Sequence, residues 1–177
     1  NTSGVLQPSK GGTGATTLAG ANLPVTTANN TFTGTQSFTG TSSALAAVFT
    51  DIAESITVSA TAATGTINYD VTTQNALFYT TNSSGNFTVN FRGSSGTSLN
   101  TLMSTGQMIT VVFLVTNGSP AYYNTAVQVD GSSVTPKWQG GTAPTSGNTS
   151  SVDIYTYTII KTGSAAFSVF ASQTKFA

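Results

Sequence analysis

The unit Phe-Thr-Gly-Thr occupies Phe32 to Thr35 and returns at Phe38 to Thr41, six residues later. A unit this short, with one apolar anchor, hydroxyl residues and a glycine, cannot enclose a core within one chain. Self-similar tracts of this kind stack against copies of themselves, as in solenoids, fibres and arrays. If three chains wind together, Phe32 and Phe38 from each meet on the axis, and the glycines permit tight reversals. The competing reading is one ordinary hairpin in which four residues happen to recur.

Composition extends that constraint to the whole chain. The 177 residues include 35 Thr, 22 Ser and 18 Gly, and only 6% are charged, against roughly 25% in an ordinary soluble domain. Hydroxyls and amides therefore do the solvating. Threonine is β-branched and suits strands, and no sustained Glu, Lys and Arg-rich stretch marks a solvent-facing helix. The expected class is mainly β. A formal net charge of zero, with ten Phe, six Tyr and one Trp, separates the chain from disordered sequences, which combine high net charge with few aromatics.

Several functional classes fall away on residue types alone. Lys10, Arg92, Lys137, Lys161 and Lys175 are the only basic residues and are scattered, so no phosphate-neutralising stripe forms and nucleic acid is not an expected partner. Cysteine and histidine are absent, which removes disulfides, thiolate or imidazole metal sites, and Ser-His-Asp or Cys-His catalysis. Asp and backbone carbonyls suit calcium, but no EF-hand-like spacing is present. No cofactor or metal is expected. The apolar run Ile109 to Val115 is too short to span a membrane as a helix, and membrane insertion is not expected. The N-terminus has neither an initiator methionine nor the basic and apolar parts of a signal peptide, so Asn1 is read as the start of a fragment or of a processed chain.

Patterning divides the chain into an extended N-terminal segment, residues 1–43, and a β domain, residues 44–177. Pro8 to Thr17 has P-loop-like glycines but no Gly-Lys-Ser/Thr ending. Leu45, Val48, Phe49 and Ile52 fit helical spacing, and a helix there would be a short trimerising plug, yet the Thr-rich surroundings favour extension. Beyond Glu54 a period of two sets in. Ile56 with Val58, Ile67 with Tyr69 and Val71, and Phe87 with Val89 and Phe91 each predict a strand with one buried side. Ala76 to Thr80 predicts another, joined to the Phe87 strand as a hairpin through Asn82 to Gly85. Thr97 to Met103 is the best helix candidate, capped by Thr97 or Ser98 and stopped by Gly106. Met108 to Thr116 is apolar on both faces, as in a central strand or one whose second face meets another subunit. Asp130-Gly131 predicts a turn before Val134, and strands over Val152 to Lys161 and Phe167 to Gln173 close the chain. Eight or nine short strands favour an antiparallel β-sandwich of jelly-roll type.

The run Lys10-Gly-Gly-Thr-Gly-Ala-Thr-Thr-Leu-Ala-Gly-Ala21 resembles a tract common in tail fibres of tailed bacteriophages, and the Phe-Thr-Gly-Thr units resemble the stalk repeats of such fibres. Farther on, Thr66-Ile-Asn-Tyr-Asp-Val71, Asn90-Phe-Arg-Gly93, Asp130-Gly-Ser-Ser-Val-Thr-Pro-Lys137, Gln139-Gly-Gly-Thr-Ala-Pro144 and Tyr155-Thr-Tyr-Thr-Ile-Ile-Lys161 are similar to virion fibre proteins of phages infecting marine cyanobacteria. The resemblance covers nearly the whole chain. It implies a homotrimeric fibre or knob on the virion, joined to other virion proteins through its N-terminal segment. It does not distinguish a tail fibre from a neck fibre or a head appendage.

Candidate sites are few. A glycoside-cleaving spike needs two convergent carboxylates, and the chain has only Asp51, Glu54, Asp70, Asp130 and Asp153, with no sequence spacing that pairs them. No catalytic residue is assigned, and the chain is not expected to be an enzyme. Receptor contact, to a host surface glycan or protein, falls to Trp138 beside Lys137 and to Tyr122 and Tyr123 in another loop, because amphipathic rings near amides suit sugars. The bland alternative for Trp138 is a core or subunit anchor. Arg92 is read as solvated, or as a partner of Asp70 or Asp130. The expected function is a nonenzymatic, trimeric virion appendage that aids host attachment. A capsid or neck decoration protein is the alternative, and a cellular adhesin has no sorting sequence to support it.

Overall fold

Alternating side chains give ten strands, and the computed structural model describes residues 31–32 and 34–176 of the chain. The Lys10 to Ala21 tract and the rest of residues 1–30 lie outside the described residues. The chain divides into two units between Ile52 and Ala53.

In the first unit, Thr41 and Ala44 form an isolated antiparallel bridge, with Thr41 N–H donating to Ala44 O at 3.0 Å. Gly40, the glycine of the second repeat, is needed there. A Cβ on it would lie 2.7 Å from Ala44 O and 2.9 Å from the Ala46 nitrogen. Residues 44–54 form no helix, in line with the extended reading. Phe32 is 49% exposed and Phe38 65%, and Leu45, Val48, Phe49 and Ile52 are exposed as well.

The second unit is mainly β and built of two sheets. Its elements are β1 (Ile56–Ala62), β2 (Gly65–Asp70), β3 (Ala76–Thr81), β4 (Phe87–Arg92), α1 (Leu99–Leu102), β5 (Met108–Thr116), β6 (Asn124–Val129), β7 (Ser132–Val134), β8 (Lys137–Trp138), β9 (Val152–Gly163) and β10 (Ala166–Phe176). One sheet has the order β1-β3-β5-β9-β10-β8 and the other β2-β4-β6-β7. From β1 to β6 the chain changes sheet at every step, and odd strands pair in parallel with odd, even with even. This is the winding of a flattened parallel β-helix. Ile56 pairs with Ala76, and Ala76 with Val112, so the first turn takes 20 residues and the second 36. The longer turn carries α1 between β4 and β5.

Two expectations are corrected by this winding. An antiparallel, jelly-roll-like order does not hold, because five of the eight pairings are parallel. Nor do β3 and β4 form a hairpin, since they lie in different sheets. Asn82 to Gly85 carries the chain across the core instead. The other predicted turns hold. β6 and β7 pair antiparallel around Asp130-Gly131, where φ is 51° and 79°, the positive values that a tight hairpin turn requires and that Asp and Gly tolerate. β9 and β10 also pair antiparallel and close the large sheet beside β5.

The core fills the space between the sheets. Phe87, Val89, Phe91, Ile67 and Tyr69 from the small sheet meet Phe113, Val115, Tyr155, Tyr157 and Ile159 from the large one. Phe87 stands edge-on to Phe113 (centroids 5.5 Å apart) and to Tyr155 (5.8 Å), and Phe91 to Tyr157 (4.9 Å). These are favourable quadrupole geometries, and each such ring contributes about 1.5–3 kcal/mol by burial.

β1 departs from the pattern. Its register places Thr57 beside Leu77 and Ser59 beside Tyr79, toward the core, and Ile56 and Val58 beside Ala76 and Phe78, away from it. Ile56 is 53% and Val58 61% exposed. The expected buried side of this strand therefore faces outward.

Candidate functional site

After the β6–β7 hairpin the chain passes Thr135 and Pro136 and enters β8, a two-residue edge strand parallel to β10. Trp138 lies beside Ala171 and Lys137 beside Phe170. Because Ala171 is a core residue, Trp138 turns inward and packs edge-on against Tyr157, with centroids 6.3 Å apart. Lys137 turns outward, its ammonium 5.3 Å from the centre of the Phe170 ring, a cation–π contact.

Trp138 stays half-buried because it lines two depressions. One, of about 180 Å³, is walled by Tyr123, Pro136, Trp138 and Pro144, with Asn124 and Val127 among its other lining residues. The other, of about 320 Å³, is more open and includes Lys137, Gln139, Thr156, Thr158 and Phe170. Two of the three sequence candidates, Trp138 and Tyr123, thus come together. Tyr122 does not line either depression; its backbone N–H donates to Asn117 Oδ1 at 3.1 Å, and it belongs to the loop anchorage described next. Phe32 and Phe38 lie in the first unit. The smaller cavity is below the ~300–1,000 Å³ of typical ligand pockets, so it suits one ring-sized group at a time.

Beneath the Tyr123 loop lies a polar network for which the sequence holds only a weak signal, an Asp at the start of a strand. Asp153 is fully buried. Its Oδ2 accepts from Asn117 Nδ2 (3.1 Å), Asn148 N–H (3.0 Å) and Gln173 Nε2 (3.0 Å), and Oδ1 has no partner among the described residues. Burial pushes this carboxyl above the usual Asp range, against the opposing pull of those donors. Gln173 Nε2 also reaches Tyr155 OH (3.0 Å), which accepts from Asn124 N–H (3.3 Å). Ser83 bonds Asn117 as well. Four segments are tied together at one end of the sandwich.

A third depression, about 360 Å³, opens on the small sheet between Arg92, residues 94–98 and Asp130-Gly131. Arg92 Nε donates to Asp70 Oδ1 at 2.5 Å, settling the partner left open by the sequence. Asp130 is more than a turn residue. Its two carboxylate oxygens accept from the Leu99 and Asn100 N–H groups of α1, at 2.6 and 2.9 Å. At the other end of α1, the buried Lys161 donates to Asn100 O (2.5 Å) and Met103 O (2.8 Å). Glu54 bonds Asn75. Four of the five carboxylates thus have structural partners, and among the described residues no group of three or more acidic side chains is placed to hold a metal.

Compared with protein-family models, with curated proteins and with solved structures, the chain matches none of them.

Proposed function

We propose that this chain is a fibre protein of a bacteriophage virion: a nonenzymatic, trimeric appendage with an extended N-terminal stalk and a β head that aids host attachment. One observation carries the reading. In the first unit every large apolar side chain among the described residues, from Phe32 through Ile52, is exposed, and the described residues of that unit offer nothing to bury them against. Winding with further copies supplies the missing contacts, and the Phe-Thr-Gly-Thr resemblance to fibre stalks makes the partner another copy of the chain.

In this reading the Trp138–Tyr123 cleft is the receptor contact, and three weak contacts engaged together gain avidity through effective concentration. The packing of Trp138 on Tyr157 favours the second reading, a capsid or neck decoration protein in which Trp138 is an anchor. Trp138→Ala separates them. Receptor contact predicts at least a tenfold loss of cell-surface binding with the trimer intact by light scattering, whereas the anchor role predicts lower stability with binding unchanged in the folded fraction. Antibody against the head that marks distal fibre tips and blocks adsorption supports attachment. Antibody that marks the capsid or neck and leaves adsorption intact supports decoration.

A further inference from the structure

We infer that the outward face of the six-stranded sheet packs against other copies of this chain and forms the principal contact between heads in the assembly. The inference deepens the fibre reading, on which it rests for the identity of the partner.

Strand pairing defines the face. Side chains at paired positions share a side, so Ile56 and Val58 of β1, Phe78 of β3, Val112 and Leu114 of β5 and Ile154 of β9 all point away from the core in one contiguous block. Met108, Phe170 and Phe176 extend it, each exposed. Of the remaining outward positions on β5 and β9, Val152 and Ile160 are aliphatic, and the others are threonines, such as Thr110 and Thr158, whose Oγ1 atoms lie 3.1 Å apart. No outward position on β1, β3, β5, β9 or β10 carries a charge. Lys137, on the edge strand β8, marks the rim.

The small sheet turns out a different surface. There Asn68, Asn90 and Gln128 form a row, Asn90 Nδ2 donating to Asn68 Oδ1 at 2.8 Å, with the Asp70–Arg92 pair alongside. One outer face is built for water and the other is not. β1 makes the asymmetry sharper, since its two large aliphatic side chains lie on the outward side, whereas the side it shares with Leu77 and Tyr79 carries the exposed Thr57 and the half-buried Ser59. A strand with that inversion buries its apolar side only if the outer face is covered.

The choice of a second copy rests on charge and size. An uncharged face meets its own copy without stranding a charge, which a charged partner surface would not avoid. Six strands at ~4.8 Å spacing and about 20–30 Å length give a face of roughly 500–700 Å², close to the ~800 Å² per partner of a stable interface.

The test uses the full chain. Light scattering should find a trimer for the wild type. Leu114→Lys, which places a charge at the centre of the face, should raise the concentration at which the trimer dissociates at least tenfold with an unchanged β circular dichroism spectrum, while Gln128→Lys on the polar face should leave the trimer intact. Because the chain has no cysteine, Met108→Cys reports the face directly even if Leu114→Lys fails to fold. Maleimide should label it at least tenfold more slowly than Ser133→Cys on the polar side. A trimer whose dissociation on dilution Leu114→Lys leaves unchanged, or Met108→Cys labelled as fast as Ser133→Cys, overturns the face and leaves the fibre reading standing. A wild-type monomer overturns both, and a monomer in which Met108→Cys is protected means that the chain covers the face itself.

Discussion

Asp153 is where a single side chain bears the most. It is a buried carboxylate with no cation bonded to it, held by three N–H donors on one oxygen and by none on the other. Its native pKa is raised by burial, so the protonated form is the one that folding favours. The stability this contributes is complete below the unfolded Asp value of about 3.9 and is lost as pH rises through the higher native value. Asp153→Asn keeps an acceptor for the three donors and removes the ionisation. Its stability relative to wild type should therefore improve from about pH 4 toward neutrality, which urea melts across that range would measure; a difference independent of pH contradicts the buried-charge account. Asp153→Ala strands the donors and should cost about 2 kcal/mol. Trp138 and Tyr123 acquire meaning at this scale too, because the network under Asn117 and Asn124 holds the loop that brings Tyr123 to Trp138.

At the scale of elements, α1 exists because distant residues hold it. Four helical residues cannot pay the cost of nucleation alone. Ser98 caps the N-terminus locally through Thr101 N–H, but the stronger restraints are Asp130 at the N-terminal end and Lys161 at the C-terminal end, each with the sign that opposes the helix dipole. Asp130→Ala removes an acceptor shared by two N–H groups and places alanine at φ 51°, so a loss of about 2 kcal/mol is expected. Lys161→Met should instead act locally, with amide exchange accelerating over residues 99–106 ahead of the rest of the sheet. Uniform exchange across the chain would mean that α1 is not the element these residues support. The Thr97 to Met103 signal for this helix was readable because a cap and an apolar spacing are local. Lys161 was not, because its role depends on a strand 58 residues beyond Met103.

For the whole molecule, the two units call for contacts of different kinds. The second unit has a complete core between its sheets, whereas the described part of the first unit leaves Phe32 and Phe38 uncovered. If the repeat is a stalk seam, Phe32→Ser with Phe38→Ser should weaken assembly, raising the concentration at which the trimer dissociates on dilution at least tenfold, while leaving the unfolding transition of the second unit in place. An unchanged midpoint would return the repeat to an ordinary turn. Combined with Leu114→Lys, the double variant also separates stalk from head as the seat of association.

Strand positions, the Asp130-Gly131 and β9–β10 turns, and the two-sided apolar character of Met108 to Thr116 were determined by the sequence alone, because alternation and turn chemistry act between residues that are neighbours along the chain. The partner and direction of each strand were decided only in the tertiary structure. Asn82 to Gly85 has the composition of a hairpin loop, yet it crosses the core to the other sheet, since a short polar connector does not encode which sheet its far end joins. The same limit applied to Ile56 and Val58. A period of two says that they share a side, and only the parallel register with Ala76 and Phe78 says which side it is. Burial belongs to the assembled sheets and whatever covers them, not to the strand.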